Sequence, residues 1–307
     1  MKRIQSAGIV GMGALGLLYA DIMTQNLGDG HVAFLMDEER LQRHSKEVFT
    51  INGREVRFPM SCMKCGEAQP LDLLIVAVKY PGLEGAMEVM APAVGEDTII
   101  ISLLNGISSE EIIARHFGNS HVLHVVAQGM DAMRFGPALT YSRKGQLCVG
   151  TDSPEKRAKL DALEEFLRRS GVDFVEEQDI RRRIWGKFML NVGINQTCMV
   201  YGVGYGKALE KGSAEAMTFI GAMREVILLS RCEGVDLDEK DLEQYVRIVE
   251  SLDPEATPSM GQDRLNRKAS EVESFAGTVI RLAKKHGLPV PANEFLYARV
   301  KEIEAGY

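Results

Sequence analysis

The sequence predicts an α/β N-terminal domain with a mostly parallel, doubly wound sheet, followed by an all-α C-terminal domain. Three observations support this fold class. A glycine-rich turn follows a short apolar run, apolar strands then alternate with helical patterns, and helical patterns alone continue from residue 179. We therefore place the two domains at residues 1–178 and 179–307.

The glycine-rich turn indicates binding of a dinucleotide. It lies between the apolar run at residues 8–10 and the start of a helix, and it reads Gly11-Met12-Gly13-Ala14-Leu15-Gly16. In this pattern Gly11 permits the turn, Gly13 lets the backbone approach a pyrophosphate, and Gly16 lets the helix pack closely on the strand. A purely structural turn is the alternative. The flanking strand and helix favour a Rossmann-type domain that binds its cofactor through these six residues.

Further apolar runs predict the rest of the sheet. The run at residues 73–78 is apolar on both faces, as expected for a strand between two helical layers. Lys79 directly follows this run, and Asn105-Gly106 follows another. Ligands bind at this carboxyl edge of open α/β sheets, so Lys79 and Asn105 are candidate binding residues, with ordinary loop residues as the alternative. The predicted strands are residues 8–10, 32–36, 73–78, 98–103, 122–127, 147–150 and, after a helix that ends at Gly171, 172–175.

The second half of the chain predicts one helix after another. Glycines and prolines mark several of the helix ends, because neither residue is favourable inside a helix. The predicted helices are residues 180–201, 213–232, 238–252, 260–286 and 292–304.

One of these helices carries a polar stripe. Lys187, Asn191 and Asn195 are spaced i, i+4 and i+8, which places them on one helix face. Their neighbours are apolar, so we expect a buried helix whose polar groups need partners or a ligand; a surface helix is the alternative. Burial lowers the pKa of a lysine. Lys187 is therefore a candidate general acid for the alkoxide that hydride transfer to a carbonyl carbon leaves behind.

Composition limits the classes of function. The 307-residue chain is 45% hydrophobic and 26% charged, with a net charge of −7 and no long basic block, which disfavours nucleic-acid and anionic-membrane binding. No apolar run is long enough to span a bilayer and no leader segment is evident, so we expect a cytoplasmic protein. The five cysteines fit reduced thiols, and we assign no metal site, including at Cys62 and Cys65.

Together these motifs resemble the ketopantoate reductase family. The resemblance implies reduction of 2-dehydropantoate (ketopantoate) to (R)-pantoate with NADPH, on the route to pantothenate and coenzyme A. The implied partner is a small 2-oxo acid, and the assembly stays open between a monomer and a homodimer. The resemblance covers residues 1–296 and rests on the glycine turn, Lys79, Asn105-Gly106, the polar stripe, Ser259-Met260-Gly261-Gln262-Asp263, Ser270-Glu271 and His286-Gly287-Leu288-Pro289-Val290-Pro291-Ala292-Asn293.

The resemblance also implies roles for individual residues. Lys187 and Glu271 would be catalytic, and Lys79 and Asn105 would act near the cofactor. The implied substrate contacts are Asn105, Asn191, Asn195 and Ser259. Ser259 and Glu271 are twelve residues apart, roughly 18 Å along a straight helix. Both can reach one substrate only if the chain bends, and Gly261 is the expected position of the bend.

Two departures from the family bear on specificity. Tyr205-Gly206 stands where some members have a substrate-contacting asparagine before the glycine, which leaves the exact 2-oxo acid open. Asp37 stands where many members have an arginine for the 2′-phosphate of NADP. A carboxylate there accepts hydrogen bonds from a ribose 2′-hydroxyl, so Asp37 suggests NAD(H) preference or dual use. Arg40 and Arg43 could instead turn toward a phosphate, in which case NADP(H) would bind as in the family.

Two other functions compete with this interpretation. The β-hydroxyacid dehydrogenases share the architecture and would reduce another branched 2-oxo acid. In that class a glycine-rich turn precedes the lysine, whereas here Arg181-Arg182-Arg183-Ile184-Trp185-Gly186 precedes Lys187. A non-catalytic dinucleotide sensor is the second alternative, and the presence of both Lys187 and Glu271 argues against it.

Overall fold

The computed structural model describes residues 2–62 and 69–307. The chain divides into two compact units, of which the first consists of Met1–Leu104 and Ser109–Ile180. The second consists of Asn105–Ser108 and Arg181–Tyr307. The helical unit therefore includes a four-residue segment from the N-terminal half of the sequence.

The first unit contains two sheets. In chain order the strands are β1 (Ala7–Val10), β2 (Val32–Leu35), β3 (Phe49–Ile51), β4 (Arg54–Val56), β5 (Met60–Ser61), β6 (Leu73–Val76), β7 (Ile99–Ser102), β8 (Val122–Met130), β9 (Met133–Phe135), β10 (Ala138–Thr140), β11 (Lys144–Gly150) and β12 (Phe174–Glu176). The larger sheet has the order β12-β11-β8-β7-β6-β1-β2-β5, and the smaller one β4-β3-β10-β9. Neighbouring strands of the larger sheet run parallel, except that β8 and β11 are antiparallel. The predicted mostly parallel α/β domain is thus confirmed.

Two hydrophobic cores cover the two faces of the larger sheet. On β6, Leu73 and Ile75 belong to one core, and Leu74 and Val76 belong to the other. Since successive side chains point to opposite faces, a strand between two cores is apolar at every position. The helices of this unit are α1 (Ala14–Leu27), α2 (Glu38–His44), α3 (Leu83–Met90), α4 (Ser109–Phe117) and α5 (Arg157–Arg169).

The smaller sheet is absent from the sequence-based prediction. Asn52 and Gly53 join β3 to β4 as a two-residue turn, with φ values of 49° and 81°. Positive φ at both positions is typical of a type I′ hairpin, for which Asn-Gly is the preferred pair. The Asn-Gly pair was therefore a sequence signal for this hairpin.

The second unit is helical, as predicted. Its core is built from apolar residues of the helices and of the turns between them, including Phe188, Phe219, Phe275 and Leu296. Within the described residues, no helix is both long and apolar enough to cross a membrane. The helices are α6 (Ile180–Tyr201), α7 (Tyr205–Ala208), α8 (Ala214–Cys232), α9 (Glu239–Glu250), α10 (Ser259–Leu265), α11 (Ala276–His286) and α12 (Pro291–Glu304).

The prediction of one helix over residues 260–286 is wrong. The chain leaves α10 at Asn266 and enters α11 only at Ala276. Arg267 has a φ of 49°, a left-handed conformation that ends a helix. Residues 265–269 are exposed and so have no apolar face that would hold a continuous helix against the core.

One expectation about the cysteines is also corrected. Cys62 is disulfide-bonded, contrary to the expectation of reduced thiols, whereas Cys148, Cys198 and Cys232 are free. Cys65 lies outside the described residues.

Close packing determines the conformation of the glycine turn between β1 and α1. Gly11 has a φ of 109°, and a Cβ there would lie 2.5 Å from the carbonyl oxygen of Ala77, just after β6. A Cβ on Gly16 would lie 2.0 Å from the carbonyl oxygen of Gly11. The turn therefore closes only with glycine at these two positions.

We expect Gly16→Ala to lower the free energy of unfolding by about 1 to 3 kcal/mol, because the backbone of the turn must move to accept the methyl group. Gly85→Ala is the matched control. Gly85 lies inside α3, is exposed, and has no heavy atom within 4 Å of a built Cβ. This change should raise the free energy of unfolding by about 0.5 to 1 kcal/mol. Urea unfolding measures both, and equal effects would contradict the packing explanation.

Candidate active site

The N-terminal unit presents the glycine turn at the start of α1. Gly13 is the N-cap of the helix, and Ala14 and Leu15 begin its first turn. A Cβ on Gly13 would come no closer than 3.5 Å to another part of the protein, here the carbonyl oxygen of Ala77. Packing does not demand glycine at this position. The missing side chain instead leaves room for a phosphate group to approach the N–H groups of α1.

Asp37 lies at the end of the second strand, as predicted, but its carboxylate has a structural role. It is the N-cap of α2, and its Oδ1 accepts a hydrogen bond from the backbone N–H of Arg40 at 2.7 Å. Its Oδ2 lies 3.5 Å from Nε of Arg40. The negative charge of Asp37 is therefore partly balanced by a helix N-terminus and by a guanidinium group. The predicted contact with a ribose stays a prediction.

Lys79 follows β6 at the same edge of the sheet as the glycine turn. The backbone N–H of Ala77 donates to the carbonyl oxygen of Val10 at 2.8 Å, which joins the end of β6 to the end of β1. Lys79 is exposed two residues further on, at the start of a short 3₁₀ turn, Tyr80–Gly82. This placement agrees with the expected carboxyl-edge position.

Within the helical unit, three predicted residues form a chain of hydrogen bonds. Nζ of Lys187 donates to Oδ1 of Asn105 at 2.9 Å. Nδ2 of Asn105 in turn donates to Oε2 of Glu271 at 3.1 Å. All three side chains are half-buried. One amide thus connects a cation and an anion, and these two contacts determine its orientation.

The segment that carries Asn105 is held in the helical unit by its neighbours. Ile107 packs against the core of this unit. Gly106 has a φ of 107°, and a Cβ there would lie 3.5 Å from the carbonyl oxygen of Ser274, close to Glu271. The segment is therefore packed against the turn that presents the carboxylate.

The polar stripe of α6 has a second contact one helical turn beyond Asn191. Asn195 is buried, and its Nδ2 donates to Oγ of Ser259 at 3.4 Å. Asn191 is half-buried between Lys187 and Asn195 on the same face. The side chains of Lys187, Asn191 and Asn195 thus form a polar row along α6. Lys187 contacts Asn105 at one end of this row, and Asn195 contacts Ser259 at the other.

The break between α10 and α11 explains how Ser259 and Glu271 can both contact the polar side chains near α6. Ser259 begins α10 and contacts α6, whereas Glu271 lies in the connecting turn and contacts Asn105. The chain therefore bends, as the spacing required. The predicted position of the bend is wrong, because Gly261 lies inside α10 and the helix ends after Leu265.

Gln196 stabilises the turn that carries Glu271, and its role was missed in the sequence. Gln196 is fully buried on α6, and its Oε1 accepts a hydrogen bond from the backbone N–H of Ala276 at 3.1 Å. Ala276 is the first residue of α11, so the bond satisfies an N–H group that a helix start leaves without a partner. A glutamine in an apolar stretch of α6 was the available signal.

A buried network extends from Gln196 to α8 and α12. Nε2 of Gln196 donates to Oδ1 of Asn293 at 3.5 Å, and Nδ2 of Asn293 donates to Oε2 of Glu225 at 2.7 Å. Glu225 also accepts from the backbone N–H groups of Ala292 and Asn293, at 2.7 and 2.9 Å. Burial raises the pKa of the Glu225 carboxyl, although these hydrogen bonds oppose the shift.

The residues around Lys187 supply the groups that carbonyl reduction needs. An ammonium group can donate a proton to a ligand oxygen. Amide and hydroxyl groups can hold ligand oxygens without changing their own charge. The candidate site therefore combines one proton donor, one carboxylate and several neutral hydrogen-bonding groups.

Comparison with known proteins identifies the family. The model described as ketopantoate reductase PanE/ApbA matches residues 7–149, and the model for the C-terminal domain of the same family matches residues 179–304. The chain belongs to the ketopantoate reductase family, a family of oxidoreductases. The matched ranges include the glycine turn, Asn105, Lys187 and Glu271.

Individual relatives are distant but similar along the whole chain. Over 303 residues the chain is 26% identical to the "Uncharacterized oxidoreductase YkpB" of Bacillus subtilis, with 97% of this chain and 98% of that protein covered. Over 312 residues it is 26% identical to a 2-dehydropantoate 2-reductase of Aquifex aeolicus, with 96% of each covered. A structure of D-mandelate dehydrogenase with NADH and anilino(oxo)acetate shares the fold, with a TM-score of 0.85 and 23% identity over 98% of this chain and 99% of that one.

We expect Gln196→Met to lower the free energy of unfolding by about 1 to 3 kcal/mol, because the buried N–H of Ala276 loses its acceptor. Gln244→Met is the control, since Gln244 is exposed on α9 and its replacement should change the free energy by less than about 0.5 kcal/mol. Denaturant unfolding of both variants is the measurement. A Gln196→Met protein as stable as the control would show that Gln196 is not needed to hold the start of α11.

Proposed function

We propose that this protein is an NAD(P)H-dependent 2-dehydropantoate 2-reductase, which forms (R)-pantoate on the route to pantothenate and coenzyme A. The observation that carries the proposal is the hydrogen-bonded series Lys187, Asn105 and Glu271. Membership of the ketopantoate reductase family and the Aquifex aeolicus relative support the same reaction. The structure of D-mandelate dehydrogenase with NADH supports a nicotinamide cofactor on this fold.

The glycine turn fits the pyrophosphate of such a cofactor. Gly13 leaves space at the start of α1 that the protein itself does not fill. When bound, the reduced dinucleotide supplies the hydride. By family resemblance we assign further cofactor contacts to Lys79 and Asn105. We assign a ribose contact to Asp37 from its position after the second strand, where it departs from the family.

Lys187 is the proposed general acid. Addition of hydride to the 2-oxo carbon of ketopantoate converts its carbonyl oxygen to an alkoxide, which must gain one proton to become the 2-hydroxyl of pantoate. The ammonium group of Lys187 donates this proton, and solvent reprotonates the amine that remains. Asn105 accepts a hydrogen bond from Lys187 and so directs its Nζ.

Glu271 is the proposed partner of this acid. Its carboxylate accepts from the amide of Asn105, which leaves the amide oxygen of Asn105 facing Lys187. The same amide thus joins the proposed proton donor to a carboxylate. Glutamine at this position would keep a hydrogen-bonding group and lose the charge.

Three neutral side chains are the proposed substrate contacts. Asn191, Asn195 and Ser259 provide amide and hydroxyl groups, which suit the carboxylate and the hydroxyl of ketopantoate. Asn195 and Ser259 are already within 3.4 Å of each other, so one ligand oxygen could contact both.

A reductase of another branched 2-oxo acid is the second candidate, and Tyr205 favours it. This side chain stands at the position where some family members have an asparagine. Burial, together with the charge of Cys198, raises the pKa of Tyr205 to about 12, so the phenol is neutral at physiological pH. A larger, neutral group with one hydroxyl offers fewer hydrogen bonds than an asparagine amide.

The test is oxidation of NADH and NADPH by the purified protein with a panel of 2-oxo acids that includes ketopantoate. We expect the highest kcat/KM with ketopantoate, because its 4-hydroxyl can use a hydrogen bond that unsubstituted branched acids lack. A higher kcat/KM with another branched 2-oxo acid would support the second candidate. Absence of turnover with the whole panel would favour a dinucleotide sensor.

Lys187→Ala should lower kcat for ketopantoate reduction by about 10² to 10⁴, the usual contribution of a positioned general acid. The affinity for the cofactor should change little. Lys284→Ala is the control, because Lys284 is exposed on α11. Steady-state kinetics and cofactor titration measure the two quantities, and wild-type turnover by Lys187→Ala would remove this residue from the mechanism.

A further inference from the structure

The turn that carries Glu271 (residues 270–275) belongs to the connection between α10 and α11. It follows the end of α10 at Leu265 and precedes the start of α11 at Ala276. Within the turn, the carbonyl oxygen of Glu271 accepts from the backbone N–H groups of Ser274 and Phe275, at 2.9 and 3.1 Å. A segment without the repeating hydrogen bonds of a helix depends more strongly on contacts with neighbouring elements.

The C-terminal helix α12 contacts this turn immediately before Glu271. Oε1 of Glu304 accepts a hydrogen bond from the backbone N–H of Ser270 at 2.7 Å. Oγ of Ser270 in turn accepts from the backbone N–H of Val272 at 3.3 Å. The side chain of Glu304 is 16% exposed, so water competes little for its hydrogen bond. Through Ser270, one carboxylate of α12 is therefore connected to the backbone on both sides of Glu271.

The same helix contacts the turn again two residues after Glu271. The hydroxyl of Tyr297 donates to Oε1 of Glu273 at 2.8 Å. Nζ of Lys301 lies 3.5 Å from the same carboxylate oxygen. The ring of Tyr297 packs against the hydrophobic core of the helical unit, which limits the positions that its hydroxyl can take.

One face of α12 makes these contacts, and the core holds another. Tyr297, Lys301 and Glu304 are spaced i, i+4 and i+7, which places them on one side of the helix. Leu296 and Val300 are fully buried in the core of the helical unit. Because its apolar face is packed, α12 is a firm support for the turn.

Glu271 lies between the two contacts with α12, and its own carboxylate accepts from Asn105. The position of this carboxylate therefore depends on how the backbone of the turn is held. Misplacement of a functional group by about 1 Å can lower a rate by about 100-fold, even when the responsible change lies far from the chemistry. Side chains of α12 can thus control turnover through the turn alone.

We propose that Glu304 and Tyr297 are positioning residues for the reductase reaction, because they fix the turn that carries Glu271 before and after this residue. The inference rests on the proposed function, in which Glu271 orients Asn105 toward Lys187. Neither side chain of α12 takes a chemical step. Since their effect on turnover passes through Glu271, the loss of Glu304 should matter only while Glu271 is present.

A double-mutant cycle tests this dependence. Glu304→Ala removes the acceptor of the Ser270 N–H, and kcat with the 2-oxo acid that the wild type reduces fastest should fall about 10-fold or more. In a Glu271→Ala background the same change should lower kcat less than about twofold. Glu304→Gln keeps an acceptor oxygen and should restore kcat to within about threefold of the wild type. Glu302→Ala is the matched control, since Glu302 is exposed on α12 and pairs with Arg299.

Tyr297→Phe keeps the test decisive if Glu304→Ala disturbs folding, because it removes one hydroxyl group and retains the packed ring. It should lower kcat about threefold or more in the wild type and leave kcat nearly unchanged in the Glu271→Ala background. Equal losses in the two backgrounds would overturn the proposal, since a general loss of structure acts in both. So would wild-type kcat in Glu304→Ala and Tyr297→Phe.

Hydrogen exchange of the turn separates this inference from the proposed function. The backbone N–H groups of residues 270–275 should exchange about 10-fold faster or more in Glu304→Ala than in the wild type, and at the wild-type rate in Glu302→Ala. Unchanged exchange in Glu304→Ala would overturn the proposal. Faster exchange in a protein that reduces no 2-oxo acid would contradict the proposed function and support the role of α12 in fixing the turn.

Discussion

A buried amide without a hydrogen-bond partner costs roughly 1 to 3 kcal/mol, and this constraint organises the helical unit. Gln196 is 0% exposed and Asn195 is 6% exposed on α6. Asn195 forms a hydrogen bond with Ser259. Gln196 forms hydrogen bonds with the first N–H of α11 and with the side chain of Asn293. The hydrogen bonds of these two buried amides therefore favour the observed starts of α10 and α11. They also favour the position of the turn that carries Glu271.

The parts of the molecule that follow local spacing could be predicted from the sequence. The glycine turn is recognisable because Gly11, Gly13 and Gly16 have separate geometric requirements within six residues. The stripe on α6 is recognisable because a helix repeats every 3.6 residues. The contact of Lys187 with Asn105, 82 residues away, has no such local signal, and only family resemblance brought these residues together.

The wrong prediction of one helix over residues 260–286 reflects a contact between residues that are distant in the sequence. The helical pattern of residues 260–286 is continuous in the sequence, but Gln196 binds the N–H of Ala276 from 80 residues away and favours a new helix start. The case of Asp37 is local, and its contact with a ribose stays a prediction. Its position after the second strand was recognised, yet the adjacent helix α2 uses the same carboxylate as its N-cap, which motif spacing does not reveal.

The membership of Asn105–Ser108 in the helical unit has a consequence for the inheritance of this architecture. The helical unit is not encoded by one continuous stretch of gene. A chimaera joined near residue 178 would combine the Lys187 and Glu271 of one parent with the Asn105 of the other. Recombination between relatives should therefore preserve function only when Asn105–Ser108 come from the same parent as the C-terminal half, or are identical in both parents.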